Sequence, residues 1–402
     1  MKVLLLCNKS PYPPKEGGPI AMNAIIEGLI KEGHQVKVFT IDSWKYPVEI
    51  KKIPEEYLRK TGFETVYIDL KIKVFQAFIN LFTGRSYHVE RFISKDYKKK
   101  LINILSNEKF DIIQLETLYI SPYIEIIREY SDAKIVLRAH NIEHIIWKRI
   151  SDSCRNPLKK LYLRHLTNTL KYYEMSVMNK YDGIATISSI DSDFFRNSGC
   201  KIPVTTIAFG IDLSNLTDVS GESEFPGFFH IGSMNWIPNQ DGIKWFLDKV
   251  WGKIHSHHPE LKLYLAGRHM PGWLLNSKYP NVEIVGEVDN AHEFINSKSI
   301  MIVPLFSGSG IRIKIIEGMA LGKTIISTKI GADGIMYTED ENILIANSRD
   351  EFLSAIEKCL NNKSYCNGIG RNAQDLIQNQ HNNSKITQSL ISFYQKLTDN
   401  MK

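Results

Sequence analysis

Residues 299–334, SIMIVPLFSGSGIRIKIIEGMALGKTIISTKIGADG, constrain the fold more than any other stretch of the chain. The apolar run 300–305 is short enough for a buried parallel strand, Ser307-Gly308-Ser309-Gly310 reads as a glycine turn, and helical spacing follows to Leu321. Gly322 closes that helix, and the β-branched run 324–328 predicts a second strand. Strand, turn, helix, strand is the crossover unit of doubly wound parallel sheets.

Turns of this kind bind phosphate, because a helix's first amides have no partner within the helix and glycines let an anion approach them. Arg312 and Lys314 place two cations at that helix end, where a diphosphate would sit. Glu317, about one and a half turns along, is placed to accept hydrogen bonds from ribose hydroxyls. The plainer alternative makes Arg312 and Glu317 a solvated surface pair and the glycines an ordinary loop. Gly318 to Thr324 ends like a P-loop, but its glycine spacing is one residue short and it stands at a helix's end. Asp191-Ser192-Asp193 follows a strand and opens a helix, which favours N-capping over a metal site; no metal ligand set is expected.

At 402 residues, 43% hydrophobic and 23% charged, the chain suggests two to three domains of ordinary globular material. A net charge of +6 favours anionic ligands without the basic density of a nucleic-acid binder, so no nucleic-acid partner is expected. The five cysteines form no close ligand pairs, in keeping with a reducing cytoplasm. Residues 3–7 are too short for a signal-peptide core and no run approaches a membrane span, so the expectation is a protein neither exported nor integral.

From the start of the chain, KVLLLC predicts a buried strand, and a proline-rich loop leads to Gly17 and Gly18 before helical spacing over 20–32. Those glycines therefore fall at the carboxyl end of the first strand, where open α/β sheets bind ligands. Further strands are expected at 35–41, 65–70, 111–115, 134–139 and 183–188. Arg138-Ala139-His140-Asn141-Ile142-Glu143-His144 collects polar groups at a strand's carboxyl end, so His140 is a functional candidate as well as a possible structural histidine. Two basic, aromatic-rich stretches, 71–85 and 148–171, fit either amphipathic helices on an anionic membrane or core-facing helices with solvated backs. The polar segment 215–226 marks the domain join, near 208–226, and the pattern restarts at Gly227. A helix over 240–251, strands at 262–266, 282–285, 300–304 and 342–346, and a final helix over 385–397 complete a second Rossmann-like half.

In order and spacing these pieces resemble the glycosyltransferases of the two-Rossmann-domain GT-B fold, in the group that contains glycogen synthases and bacterial surface-polysaccharide transferases. The resemblance rests on Gly17-Gly18, Arg138 to Glu143, Ala185 to Ser188, Gly210-Ile211-Asp212, Gly232 to Asn239, Leu265 to Arg268, Val285-Gly286 and, above all, Pro304 to Gly334. It implies an α/β fold of two Rossmann-like domains whose parallel sheets face each other across a cleft. Residues 1–207 would bind the acceptor, 208–384 the nucleotide sugar, and the helix in 385–402 would cross back to the first domain. The donor would be a nucleotide-diphosphate sugar and the acceptor a saccharide or lipid-linked molecule, with no other cofactor.

By the same resemblance His140 reaches the donor sugar, Gly17 and Gly18 meet the diphosphate, and Glu317 binds the ribose. Gly232, Arg268, Ser309, Gly310 and Ile311 line the donor site. The family's two glutamates have seven residues between them, and Ser309 stands where the first would be. An arginine and a lysine that many members carry after the Gly232-like glycine are also absent, and Arg312 and Lys314 are expected to supply that charge and to act catalytically on the leaving diphosphate. An epimerase or hydrolase on the same fold, or a non-catalytic nucleotide-sugar-binding partner, is the competing expectation.

Overall fold

The computed structural model describes residues 1–14, 17–71, 80–81, 83–154, 156–213, 223–308 and 311–399. The chain forms two compact units, Met1–Gly210 with Asn383–Lys402, and Ile211–Asn382. Each is built on a fully parallel sheet.

The first sheet has seven strands: β1 (Lys2–Cys7), β2 (Gln35–Asp42), β3 (Glu64–Tyr67), β4 (Ile112–Leu115), β5 (Lys134–Ala139), β6 (Gly183–Thr186) and β7 (Val204–Thr206), in the order β3-β2-β1-β4-β5-β6-β7. β1, β4, β5 and β6 are buried along nearly their whole length, as strands covered on both faces by helices must be. β3 stops at Tyr67 rather than at residue 70, because its register partner Asp42 is the last residue of β2. The helix Gly17–Lys31 starts at the glycines themselves, three residues before the expected start. Pro19 is accommodated in its first turn, where an amide hydrogen would have no helical acceptor.

The second sheet has six strands: β8 (Glu224–Ile231), β9 (Leu263–Ala266), β10 (Val282–Gly286), β11 (Lys298–Val303), β12 (Thr324–Ser327) and β13 (Leu344–Ile345), in the order β10-β9-β8-β11-β12-β13. β8 begins inside the segment expected to be linker. Its Pro226 is tolerated in a central strand because the register with β11 breaks between Lys298 and Ile300, and there the Gly227 amide donates 3.0 Å to Ser299 Oγ instead of to a ladder carbonyl. The rest of that expected linker, 214–222, lies outside the described residues.

The helix expected over 240–251 begins at Ile237 and continues, through a wide turn at Leu247–Trp251, to His257. It lies so close to the sheet that a Cβ on Gly242 would stand 2.0 Å from the Pro304 carbonyl oxygen. Gly242→Ala is therefore expected to destabilise the second unit by about 1–3 kcal/mol, read as a lower urea midpoint for its transition.

Two smaller expectations change. The helix Ser189–Asn197 is capped by Ser188, whose side chain accepts from the Asp191 amide, so Asp191 is a first-turn residue and not the cap. Most of the basic stretch 71–85 falls at residues outside those described, whereas 148–171 folds into parts of two helices, Glu143–Ser153 and Pro157–Val177.

Candidate active site

In each unit the order of strands reverses once, between β1 and β4 and between β8 and β11, and ligands of open α/β sheets bind beyond the carboxyl ends of strands at such a switch point. The candidate residues fall there. In the second unit, Gly232 follows β8 directly, and the loop after β11 leads to Arg312 and Lys314.

Lys314 lies against Gly232. A Cβ there would stand 2.9 Å from Lys314 Nζ and 2.9 Å from Asn239 Nδ2, so a side chain at this position would displace the ammonium from where it lies. Lys314 Nζ donates to Asn239 Oδ1 at 2.8 Å and lies 3.2 Å from His230 Nε2. His230, fully buried in β8, has its Nδ1 2.8 Å from the Ile302 carbonyl oxygen. That carbonyl only accepts, so Nδ1 carries the hydrogen and Nε2 offers a lone pair to Lys314. Burial, with Lys314 beside it, holds His230 well below its ordinary pKa, consistent with a neutral ring. Lys314 itself is pulled down to about 7, first by burial and then by the Arg312 charge.

Arg312 is buried rather than solvated, with its guanidinium 5.0 Å from the centre of the Trp236 ring. It does not stand inside the helix. The helix is Ile313–Ala320, and Arg312 precedes it with extended backbone, its carbonyl accepting from the Ile315 amide at 2.8 Å. Ile311 packs on the Gly334 turn and Arg312 on Trp236, which holds the chain extended until Ile313. A helix beginning near Gly310 is thereby corrected; Ser309 and Gly310 lie outside the described residues. Glu317, one helical turn beyond Lys314, has Oε1 3.6 Å from His292 Nε2. The Arg268 carbonyl accepts from the Met234 amide at 2.8 Å, which ties that residue's backbone to the loop after Gly232.

In the first unit, Gly17 and Gly18 follow β1, Glu116 follows β4 and His140 follows β5, three neighbouring strand ends. His140 Nε2 is 2.8 Å from Glu116 Oε2, and Glu116 is completely buried. A Cβ on Gly18 would lie 3.0 Å from Lys9 Cε, so a cation flanks the glycines. Glu143 is a separate matter: it accepts from the Tyr119 hydroxyl at 2.7 Å, and burial pushes its carboxyl up to about 7.

Sequence reasoning did not single out His230, Trp236, His292, Glu116 or Gln114 as functional. A signal existed for two of them, since a histidine within the apolar run Phe228-Phe229-His230-Ile231 and a glutamate directly after Ile112-Ile113-Gln114-Leu115 are polar groups where a buried strand needs none. Among the described residues, no group of three His, Cys, Asp or Glu is placed to hold a metal ion, and no helix is long and apolar enough to cross a membrane.

Two parallel Rossmann-like units with polar clusters at their switch points form the architecture known as the GT-B fold. Residues 226–362, within the second unit, match the family described as glycosyl transferases group 1. A Klebsiella pneumoniae protein described as an uncharacterized 44.6 kDa protein in the cps region is 23% identical over 402 residues, covering 97% of this chain and 98% of that one. Sucrose-phosphate synthase from Thermosynechococcus elongatus shares the fold at a TM-score of 0.69 and 14% identity over 100% of both chains. Anabaena HepE, solved in complex with UDP-glucose, does so at 0.65 and 14% identity over 98% of this chain and 100% of that one.

Proposed function

We propose that the protein moves a sugar from a nucleoside-diphosphate sugar, uridine being the first base to test, to a saccharide or lipid-linked acceptor in cell-surface polysaccharide synthesis. The observation that carries this reading is Lys314 Nζ held against Gly232 by Asn239, beside Arg312 and the free amides of the helix Ile313–Ala320. Breaking the bond to the diphosphate leaves negative charge on its β-phosphate, and these groups are preorganised to receive that charge. The proposal needs no metal for this step. Glu317 takes the ribose hydroxyls, Gly17 and Gly18 admit the diphosphate, and His140 serves the transferred sugar. Configuration is retained, with the departing phosphate accepting the acceptor's proton.

The relative in a cps region and the UDP-glucose complex of HepE support the substrate class. A peripheral site at the inner face of the membrane is supported by Leu158 and Leu161, which are 80% and 68% exposed on a helix that also carries Lys159, Lys160 and Arg164.

The first test is thermal unfolding with UDP, UDP-sugars and other nucleotide sugars. A true donor at a hundred times its Kd is expected to raise Tm by roughly 5–10 °C. Release of UDP only when an acceptor saccharide is added supports transfer; equal release without it identifies a hydrolase, and no shift with any nucleotide sugar refutes the reading.

A further inference from the structure

The C-terminal helix Asn383–Asp399 closes a buried polar chain that begins at His140. Glu116 accepts from His140 with one carboxylate oxygen and from the Gln114 side-chain amide with the other, and Gln114 Oε1 accepts from the Tyr394 hydroxyl. Gln114, Glu116 and Tyr394 are all inaccessible to solvent. Each link runs one way. A carboxylate has no proton to give, so Gln114 turns its NH2 towards Glu116, which leaves only its carbonyl oxygen for Tyr394. The same rule makes His140 donate from Nε2 and leaves Nδ1 for substrate.

The carboxylate is balanced from a third side by Arg138, a buried guanidinium that donates to the Ile207 carbonyl at 3.0 Å and feels the charge of Glu116. Nothing in the packing of the helix asks for a hydroxyl at position 394. Its neighbours on the buried face are Leu390, Phe393 and Leu397, and a phenylalanine would complete that face without an oxygen to desolvate. The hydroxyl gains only by its bond to Gln114.

We propose that Tyr394 is a positioning residue for the transfer reaction: acting through Gln114, it fixes the orientation of the Glu116 carboxylate and so how the His140 ring is presented. The proposal rests on the role given to His140 above. It makes the last helix of the chain part of the catalytic apparatus of the first unit.

The test compares Tyr394→Phe, His140→Ala and, as a control, Phe393→Leu, which thins the helix's packing on Gly183 without touching the polar chain. The readouts are kcat, donor KM and the histidine 15N shifts of the whole protein. Tyr394→Phe is expected to lower kcat about tenfold with donor KM unchanged, and to shift the His140 15N signals while the Nε2–H pattern imposed by Glu116 is kept. Phe393→Leu is expected to lower Tm but keep the wild-type kcat and the wild-type 15N pattern. A wild-type kcat in Tyr394→Phe beside a collapsed His140→Ala overturns the positioning role alone. Equal losses in Tyr394→Phe and Phe393→Leu overturn it too, by assigning the effect to loosened packing. An unimpaired His140→Ala overturns the reading of His140 and the role of Tyr394 with it.

Discussion

Lys314→Met is expected to lower kcat/KM for the donor by about 10²–10³, with weaker donor binding and a lower kcat both contributing. Methionine matches the length and much of the bulk of the lysine stem but cannot answer the charge that grows on the departing phosphate. The fold should survive. The buried lysine is held between Asn239 and His230, and the neutral His230 keeps its own partner at the Ile302 carbonyl when the lysine is gone. Chemical denaturation beside the kinetics separates a damaged site from a damaged protein.

The same residue predicts a pH dependence. Burial and Arg312 bring Lys314 to about 7, whereas in the unfolded chain a lysine titrates near 10.4. Between these values the unfolded chain binds a proton that the folded chain does not, so this group's contribution to stability rises with pH across that interval, and below it the full cost of burying the charge is present. Binding runs the other way. A diphosphate beside the ammonium favours the charged form, so donor affinity should fall as pH rises above about 7, by up to about fifty-fold between pH 7 and pH 9. Titration calorimetry with the sugar diphosphate is the right measurement, because its phosphates lack the second ionisation near pH 6 that a terminal phosphate has. In Lys314→Met the affinity should be lower and flat over the same range.

How much of this was legible in the sequence depends on the period of the signal. Continuous apolar runs locate β1, β4, β5, β8, β11 and β12 because a strand covered on both faces has no polar side to confuse with a helix. Gly232 and Lys314 were each legible as types, but their contact was not: they are separated by β9, β10 and β11 and meet only because β8 and β11 are neighbours in the sheet. Arg312 was expected inside a helix, and only the anchoring of Ile311 and Arg312 by Gly334 and Trp236 shows why its backbone stays extended. The partner of His140 was harder still. Glu116 follows another strand, and the bond that joins its partner Gln114 to Tyr394 crosses 280 positions of sequence, so no local pattern reports it.

Arg312→Met should show that the two cations are not independent. Arg312 is the second cause, after burial, of the low pKa of Lys314. Removing it takes one positive charge from the diphosphate but leaves Lys314 more fully protonated, so part of the loss is returned. The expected result is a donor affinity about tenfold to a hundredfold weaker at pH 6, where Lys314 is already charged in both proteins, with the deficit shrinking as pH rises. The pH at which affinity begins to fall should move up from near 7, yet stay below the ordinary lysine range, because burial remains. A double-mutant cycle with Lys314→Met measured by calorimetry at pH 6 and pH 9 reads the coupling directly. If the midpoint of the affinity profile is the same in wild type and Arg312→Met, then burial alone sets the titration of Lys314, and the pairing of these cations at the leaving group is wrong.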